Sequence, residues 1–141
     1  IGLGASAALD YRDPELAHQI IAANGGRPID RVIDAEVGAN LDTSLEVLRE
    51  GGMIAGYGSV KHPSPELPFL KMMFKNITLS SILVYLLKDD DAERYAAILG
   101  QMLTAETVQL SVAAALGLEE ARQAHEMVEA GNRDGAVVLT V

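Results

Sequence analysis

The sequence predicts an α/β fold built on a parallel sheet, and three observations carry the prediction. Short β-branched or aliphatic runs alternate, through residue 85, with segments whose apolar residues recur every three to four positions. The connections between them are short and rich in glycine, the pattern of repeated strand–helix–strand units. The apolar runs, such as residues 82–87, are far shorter than the ~20 residues of a membrane-spanning helix. Such connections are right-handed and place helices on both faces of the sheet.

Taken in order, Ala7, Ala8 and Leu9 form a short first strand. Asp13 and Pro14 then supply an N-cap and a first-turn proline. The helix they open places Leu16, Ile20 and Ile21 on one face and stops at Asn24-Gly25-Gly26, where glycine takes the left-handed conformation. Residues 29–35 are β-branched and form the second strand. Leu41, Leu45 and Leu48 mark a second helix over residues 40–48, capped by Asn40 or Asp42 and ended by Gly51-Gly52.

Residues 53–57 are apolar except for Gly56, the mark of a strand buried on both faces. Residues 58–68 hold Pro63, Pro65 and Pro68 and form a loop. Residues 68–75 form a short helix with Leu70, Met73 and Phe74 inward, and residues 77–85 a strand. Asp89-Asp90-Asp91 is a solvated capping turn. A helix over residues 91–102 gathers Tyr95, Ile98, Leu99 and Met102 on one side, and residues 108–113 form a strand. Residues 118–129 form an amphipathic helix with Leu118, Ala121, Ala124, His125 and Val128 inward. A turn over residues 131–135 leads to a last strand, residues 136–141.

Composition excludes several functions. Twenty acidic residues against 11 Lys and Arg give a net charge of −9, the wrong sign for a nucleic-acid backbone or an anionic membrane, so neither is an expected partner. With no cysteine there is no disulfide framework, thiolate zinc site or cysteine nucleophile. No signal-peptide pattern is present, and the expected location is cytoplasmic.

Gly2, Gly4 and Ala7 match the G-x-G-x-x-G/A dinucleotide fingerprint literally. The fingerprint needs a strand before it and a helix after it, and here a strand follows, so it is rejected as the phosphate loop. His125 and Glu126 begin a zincin-like motif, but Glu129 stands where the second histidine is required, so no metal site is assigned. His18 and His62 belong to no recognisable triad, and residues 56–60 lack the second glycine of a nucleophile elbow. No catalytic residue is assigned. In an open parallel sheet a ligand lies across the carboxyl ends of the strands, here residues 10–12, 35–38, 57–59 and 80–82. The glycines among them either let backbone approach a ligand or only serve turns, and the sequence leaves both open.

Several segments occur in a telling order: Leu3-Gly4-Ala5, Leu9-Asp10-Tyr11-Arg12, Gly25-Gly26, residues 29–34, Val37-Gly38, residues 48–54, Tyr57-Gly58, residues 118–125 and 135–139. In that order they resemble the C-terminal part of NADPH:quinone oxidoreductases, the zeta-crystallin-like members of the medium-chain dehydrogenase/reductase superfamily. The resemblance implies a partial Rossmann-type sheet, with residues 1–107 the back half of a dinucleotide-binding domain. Residues 108–141 would be the C-terminal return segment of a GroES-like catalytic domain. The sequence would then enter a longer enzyme partway, and alone would not turn over.

By the same resemblance the cofactor is NADP(H), and hydride passes to a small-molecule quinone or activated enone without zinc. Tyr11 would lie by the adenosine ribose or its 2′-phosphate, and Glu36, Val37 and Gly38 would face the nicotinamide ribose. Tyr57, Gly58, Ser59 and residues 80–82, Ile82 among them, would line the nicotinamide end. Asn132 and Arg133 would close over the cofactor. Two positions depart from the family pattern: Glu36 replaces a small or polar residue, and Ala136 stands in the closing Gly-Lys motif. The strand over residues 77–85 would join two copies as a homodimer, and the last strand, lacking its catalytic-domain neighbours, would be displaced or paired with another chain. Two other readings are a methyltransferase-like Rossmann fragment binding S-adenosylmethionine, whose final strand would be antiparallel, and a non-catalytic self-associating module.

Overall fold

The computed structural model of the chain describes residues 4–108 and 110–141, so Gly2 of the rejected glycine motif and Leu3 lie outside the described residues. The chain divides into two compact units between Asp89 and Asp90. The first unit contains α1 (Leu16–Ala23), β1 (Ile29–Asp34), α2 (Val37–Val47), β2 (Leu48–Gly56), α3 (Phe69–Phe74) and β3 (Thr78–Ser81). Its strands form one parallel sheet in the order β1-β2-β3. The parallel pairing of β3 removes the antiparallel final strand that a methyltransferase-like sheet requires.

Local chemistry sets the limits of α1. Asp13 accepts the Glu15 N–H on one carboxylate oxygen and the Gln19 amide on the other, each at 2.8 Å. It therefore caps the chain as expected, although the regular helix begins three residues later. At the other end the Gly26 N–H reaches the Ile21 carbonyl at 2.9 Å and the Gly25 N–H the Ala22 carbonyl at 3.0 Å. This bond pair defines a Schellman stop, with both glycines at positive φ. The Asn24 amide then donates to the carbonyls of Arg27 and Pro28, turning the chain into β1.

Val32, Ile54 and Leu79 are register partners across the sheet and so point to the same face. Ile54 packs with Val37, Leu41, Leu45 and Leu48 in one buried cluster, against which Val32, Met72, Ile77 and Leu79 lie. The Lys75 ammonium donates to the Leu45 carbonyl at 2.7 Å, satisfying a helix-end acceptor of α2.

Several expectations are corrected in this unit. Residues 7–9 form no strand: β1 is the outer strand of the sheet, and the segment has no ladder partner. The second helix starts at Val37, ahead of Asn40 and Asp42, because buried Asp34 anchors its entry by accepting the Glu36 N–H at 2.8 Å and the Asn40 amide at 3.0 Å. It ends at Val47, and Leu48 opens β2 opposite Ile29, so Gly51 serves as a bend within the strand. In α3 the residue turned to the core is Met72, while Leu70, Met73 and Phe74 are exposed. A helix of six residues covers the core with barely one position. The strand expected over residues 77–85 stops at Ser81, because its neighbour β2 ends at Gly56 and offers no further ladder; Val84–Leu86 forms a 3₁₀ turn instead.

The second unit contains α4 (Asp89–Thr104), β4 (Val112–Gly117), α5 (Ala121–Ala130) and β5 (Ala136–Thr140), with β4 and β5 paired in parallel. The strand expected over residues 108–113 therefore lies later; Gln109 is outside the described residues. Its position follows from its partner, since the Ala136 N–H bonds the Ser111 carbonyl at 2.8 Å and pairing runs on to Gly117 and Thr140. The last strand is thus held within its own chain rather than displaced. A 3₁₀ turn over Leu118–Glu120 shifts the phase of α5, so Ala124 is buried while Leu118, His125 and Val128 are exposed. Tyr95, Ile98, Leu99 and Met102 of α4 share a side, as expected, but are exposed.

The buried cluster yields a direct test. Leu45 is fully buried and Ile33 is 78 % exposed. Leu45→Ala is expected to lower unfolding free energy in urea by about 2–5 kcal/mol, and Ile33→Ala to stay within about 0.5 kcal/mol. Equal effects would place the core elsewhere.

Candidate functional site

The three strands end on one transverse line, because Asp34 pairs with Gly56 and Gly56 with Ser81. The segments that leave this line are stitched to one another by backbone bonds. The Tyr57 N–H reaches the Asp34 carbonyl at 2.9 Å, the Ile82 N–H the Gly56 carbonyl at 2.8 Å, and the Val37 N–H the Gly58 carbonyl at 3.0 Å. Together they surround a cavity of about 280 Å³ lined by Val37, Gly56, Tyr57, Gly58, Ser59, Pro63, Pro65, Leu79, Ser81 and Ile82.

The glycines serve the protein's own packing. A Cβ on Gly56 would strike the Val37 side chain, one on Gly58 the Ala35 carbonyl, and one on Gly38 the His62 carbonyl and the Ser59 hydroxyl. They let the two connections lie against each other.

Polar groups bind the same two connections. The Ser59 hydroxyl accepts the Gly38 N–H at 3.0 Å and donates to the His62 carbonyl at 2.6 Å. The N–H groups of Ala39 and Asn40 go to the Glu36 carbonyl, so the start of α2 has its donors engaged within the chain. The Glu36 carboxylate accepts the N–H groups of Val60 at 2.9 Å, Lys61 at 3.0 and 3.1 Å, and His62 at 3.4 Å. Partial loss of water pushes its pKa up, but bonds from the Lys61, Val60 and His62 backbones, with the Lys61 charge, outweigh this and hold it below the ordinary glutamate value.

Of the residues expected at a cofactor, Val37, Tyr57, Gly58, Ser59 and Ile82 line this cavity, and Gly38 and Glu36 are bonded to its loop. Tyr11 lies apart, in a recess it shares with Leu16, Ile20, Asp34 and Asn40, with the Arg12 guanidinium 5.1 Å from its ring. Asn132 and Arg133 belong to the second unit, where Arg133 donates to the Gly135 carbonyl at 2.7 Å. Ser81, within the expected 80–82 segment, lines the cavity too, whereas sequence reasoning missed Pro63, Pro65 and Leu79 as lining residues, and Asp34 as an anchor. An acid ending a β-branched run, three positions before a helix, was the available signal for Asp34.

The residues present fit one end of a dinucleotide. Tyr57, Leu79 and Ile82 offer apolar surface, with the hydroxyls of Ser59 and Ser81 beside them. That combination suits a flat ring bearing a carboxamide, while the volume lies just below that of ordinary ligand pockets and is too small for the whole cofactor. Among the described residues no glycine-rich turn opens a helix, so no phosphate cradle is seen there. A larger recess of about 430 Å³ is lined by Asp42, Lys61, His62 and Glu66 among others, and its acids disfavour phosphate.

Comparison with known proteins identifies the family and the fold. The sequence pattern of the family described as zinc-binding dehydrogenase matches residues 3–139. A Schizosaccharomyces pombe protein described as a probable quinone oxidoreductase is 24 % identical over 138 residues, covering 96 % of this chain and 41 % of its own length. A mycobacterial quinone oxidoreductase of known structure is 26 % identical with a TM-score of 0.82, over 98 % of this chain and 44 % of that one. A mycobacterial protein solved in complex with NADPH has the same fold, at 24 % identity and a TM-score of 0.80, again over 98 % of this chain and 44 % of that one. The chain spans about two-fifths of the length of these relatives.

The Glu36 contacts have a pH signature. A group whose pKa is depressed by folding adds stability above its unfolded value, 4.5, and loses it as pH falls through the folded value. A carboxyl NMR titration of Glu36 is expected to show a midpoint below 4.5. A midpoint at or above that value would mean the backbone donors are not engaged.

Proposed function

The chain belongs to the zinc-binding dehydrogenase family, and from that membership we propose that it forms the nicotinamide side of the cofactor site in an NADPH-dependent quinone or enone reductase. The observation that carries the reading is the cavity at the aligned carboxyl ends of β1, β2 and β3, where an open parallel sheet receives its ligand. The mycobacterial structures give it support: one relative is a quinone oxidoreductase, and the similar fold was solved with NADPH.

In this reading Val37, Leu79 and Ile82 pack against the nicotinamide ring, Tyr57 covers it, and Ser81 meets its carboxamide. When bound, NADPH supplies the hydride. The chain's own part is to orient the ring and keep water from it. The electron-accepting carbon of the quinone or enone takes the hydride, and its oxygen takes a proton from solvent. The reaction is read as zinc-independent, as the resemblance to quinone reductases implies. We place the remaining cofactor contacts and the substrate site in the rest of a longer protein.

A homodimer is part of the proposal. β3 is an outer strand of its sheet, and the segment after it exposes Leu83, Val84, Tyr85 and Leu86, with Tyr85 at 93 %. An open strand edge continued by an exposed apolar segment offers a surface on which a second copy can pair.

Titrating the chain with NADPH and following its fluorescence tests the cofactor reading. Saturable binding is expected, and Ile82→Trp, which fills the cavity, is expected to weaken it about tenfold, equivalent to ~1.4 kcal/mol. No binding by the unaltered chain, or equal binding by the variant, contradicts the reading. Sedimentation tests the dimer: the chain is expected to sediment as a dimer and Tyr85→Glu as a monomer. A wild-type monomer at high concentration removes that part.

A further inference from the structure

The loop that walls the cavity contains Pro63 and Pro65, which have no N–H to give, and it forms no regular secondary structure. Its order must come from outside itself. The largest group of bonds that supplies it runs to one side chain, the Glu36 carboxylate, through the successive N–H groups of Val60, Lys61 and His62. Glu36 does not line the cavity.

We propose that Glu36 is a positioning residue: its carboxylate fixes the Ser59–His62 segment, and with it the Gly58–Pro65 wall of the cavity, rather than touching the cofactor. The inference rests on reading that cavity as the nicotinamide site. Three consecutive backbone donors converging on one acceptor form a concavity suited to an anion, and the anion that fills it belongs to the chain itself. No cofactor oxygen can use those donors while Glu36 holds them. Two further contacts brace the same segment. Ser59 is bonded on one side to Gly38 and on the other to His62, and the Gly58 carbonyl takes the Val37 N–H. Glu36 is itself held from below, since its own N–H goes to Asp34 at 2.8 Å. The loop is therefore clamped between the end of β1 and the start of α2.

The clamp needs an acceptor with two oxygens. A glutamine keeps the length but turns an NH₂ toward backbone donors, so it cannot satisfy all of them. An aspartate keeps both oxygens on a shorter arm and restores part of the contact. If Glu36 instead contacted the cofactor, Glu36→Gln would change affinity and leave the loop ordered.

The test combines amide exchange with NADPH titration on the full 141-residue chain, comparing Glu36→Gln and Glu36→Asp with the unaltered sequence. In Glu36→Gln the amides of Val60, Lys61 and His62 are expected to exchange about tenfold faster while those of β1 and β2 are unchanged. The NADPH dissociation constant is expected to rise about tenfold, and Glu36→Asp to recover part of both losses. Unchanged exchange at the three amides overturns the inference whatever happens to binding. Faster exchange with unaltered affinity overturns the claim that the loop shapes the site. If the unaltered chain itself does not bind NADPH, the nicotinamide reading falls, and the exchange comparison still decides whether Glu36 orders the loop.

Discussion

The hydrogen bond from the Val37 N–H to the Gly58 carbonyl, at 3.0 Å, joins the two connections that leave the carboxyl end of the sheet. Backbone can approach backbone there only because Gly38, Gly56 and Gly58 carry no side chain; each would otherwise meet Val37, Ala35, Ser59 or His62. That closeness, together with the Asp34 anchor, holds the start of α2 at Val37, and Leu41 and Leu45 of the helix pack with Ile54. The buried cluster and the cavity are thus two results of one constraint. Burial of Leu45, Leu48 and Ile54 supplies much of the driving force, and the glycine contacts decide which backbone arrangement that force selects.

The same constraint explains why acid is tolerated beside the proposed cofactor surface. A carboxylate open to the ligand would oppose the negative charge of a dinucleotide. Glu36 is turned into the Val60–His62 donors, and Asp34 is spent on the Glu36 N–H and the Asn40 amide. Both acids are engaged by donors of the chain itself, which leaves the cavity lining to Val37, Tyr57, Leu79, Ile82 and the serines.

Much of the fold was legible in the sequence because strong local signals agreed with the global arrangement. Asp13, Asn24-Gly25-Gly26 and the β-branched run from Ile29 each act within a few residues of themselves, and each did in the structure what its chemistry implies. The errors fell where a distant partner decides. Residues 77–85 looked like a long strand, but strand length was fixed by where β2 ends, at Gly56. Leu70 and Phe74 looked inward by periodicity, but α3 was too short to bury more than Met72. Of the site, the strand ends were legible because parallel sheets bind ligands there. The roles of Glu36 and of the glycines were not, since they depend on contacts between segments more than twenty residues apart, such as Gly38 with Ser59 and Glu36 with Val60.

The central claim is that the ends of β1, β2 and β3 form one ligand surface. Mapping amide exchange across the chain with and without NADPH measures this most directly. The account predicts protection concentrated at Tyr57, Gly58, Ser59, Ser81 and Ile82, the cavity lining. Protection confined to the recess of Asp42, Lys61 and Glu66, or to the surroundings of Tyr11, would contradict it.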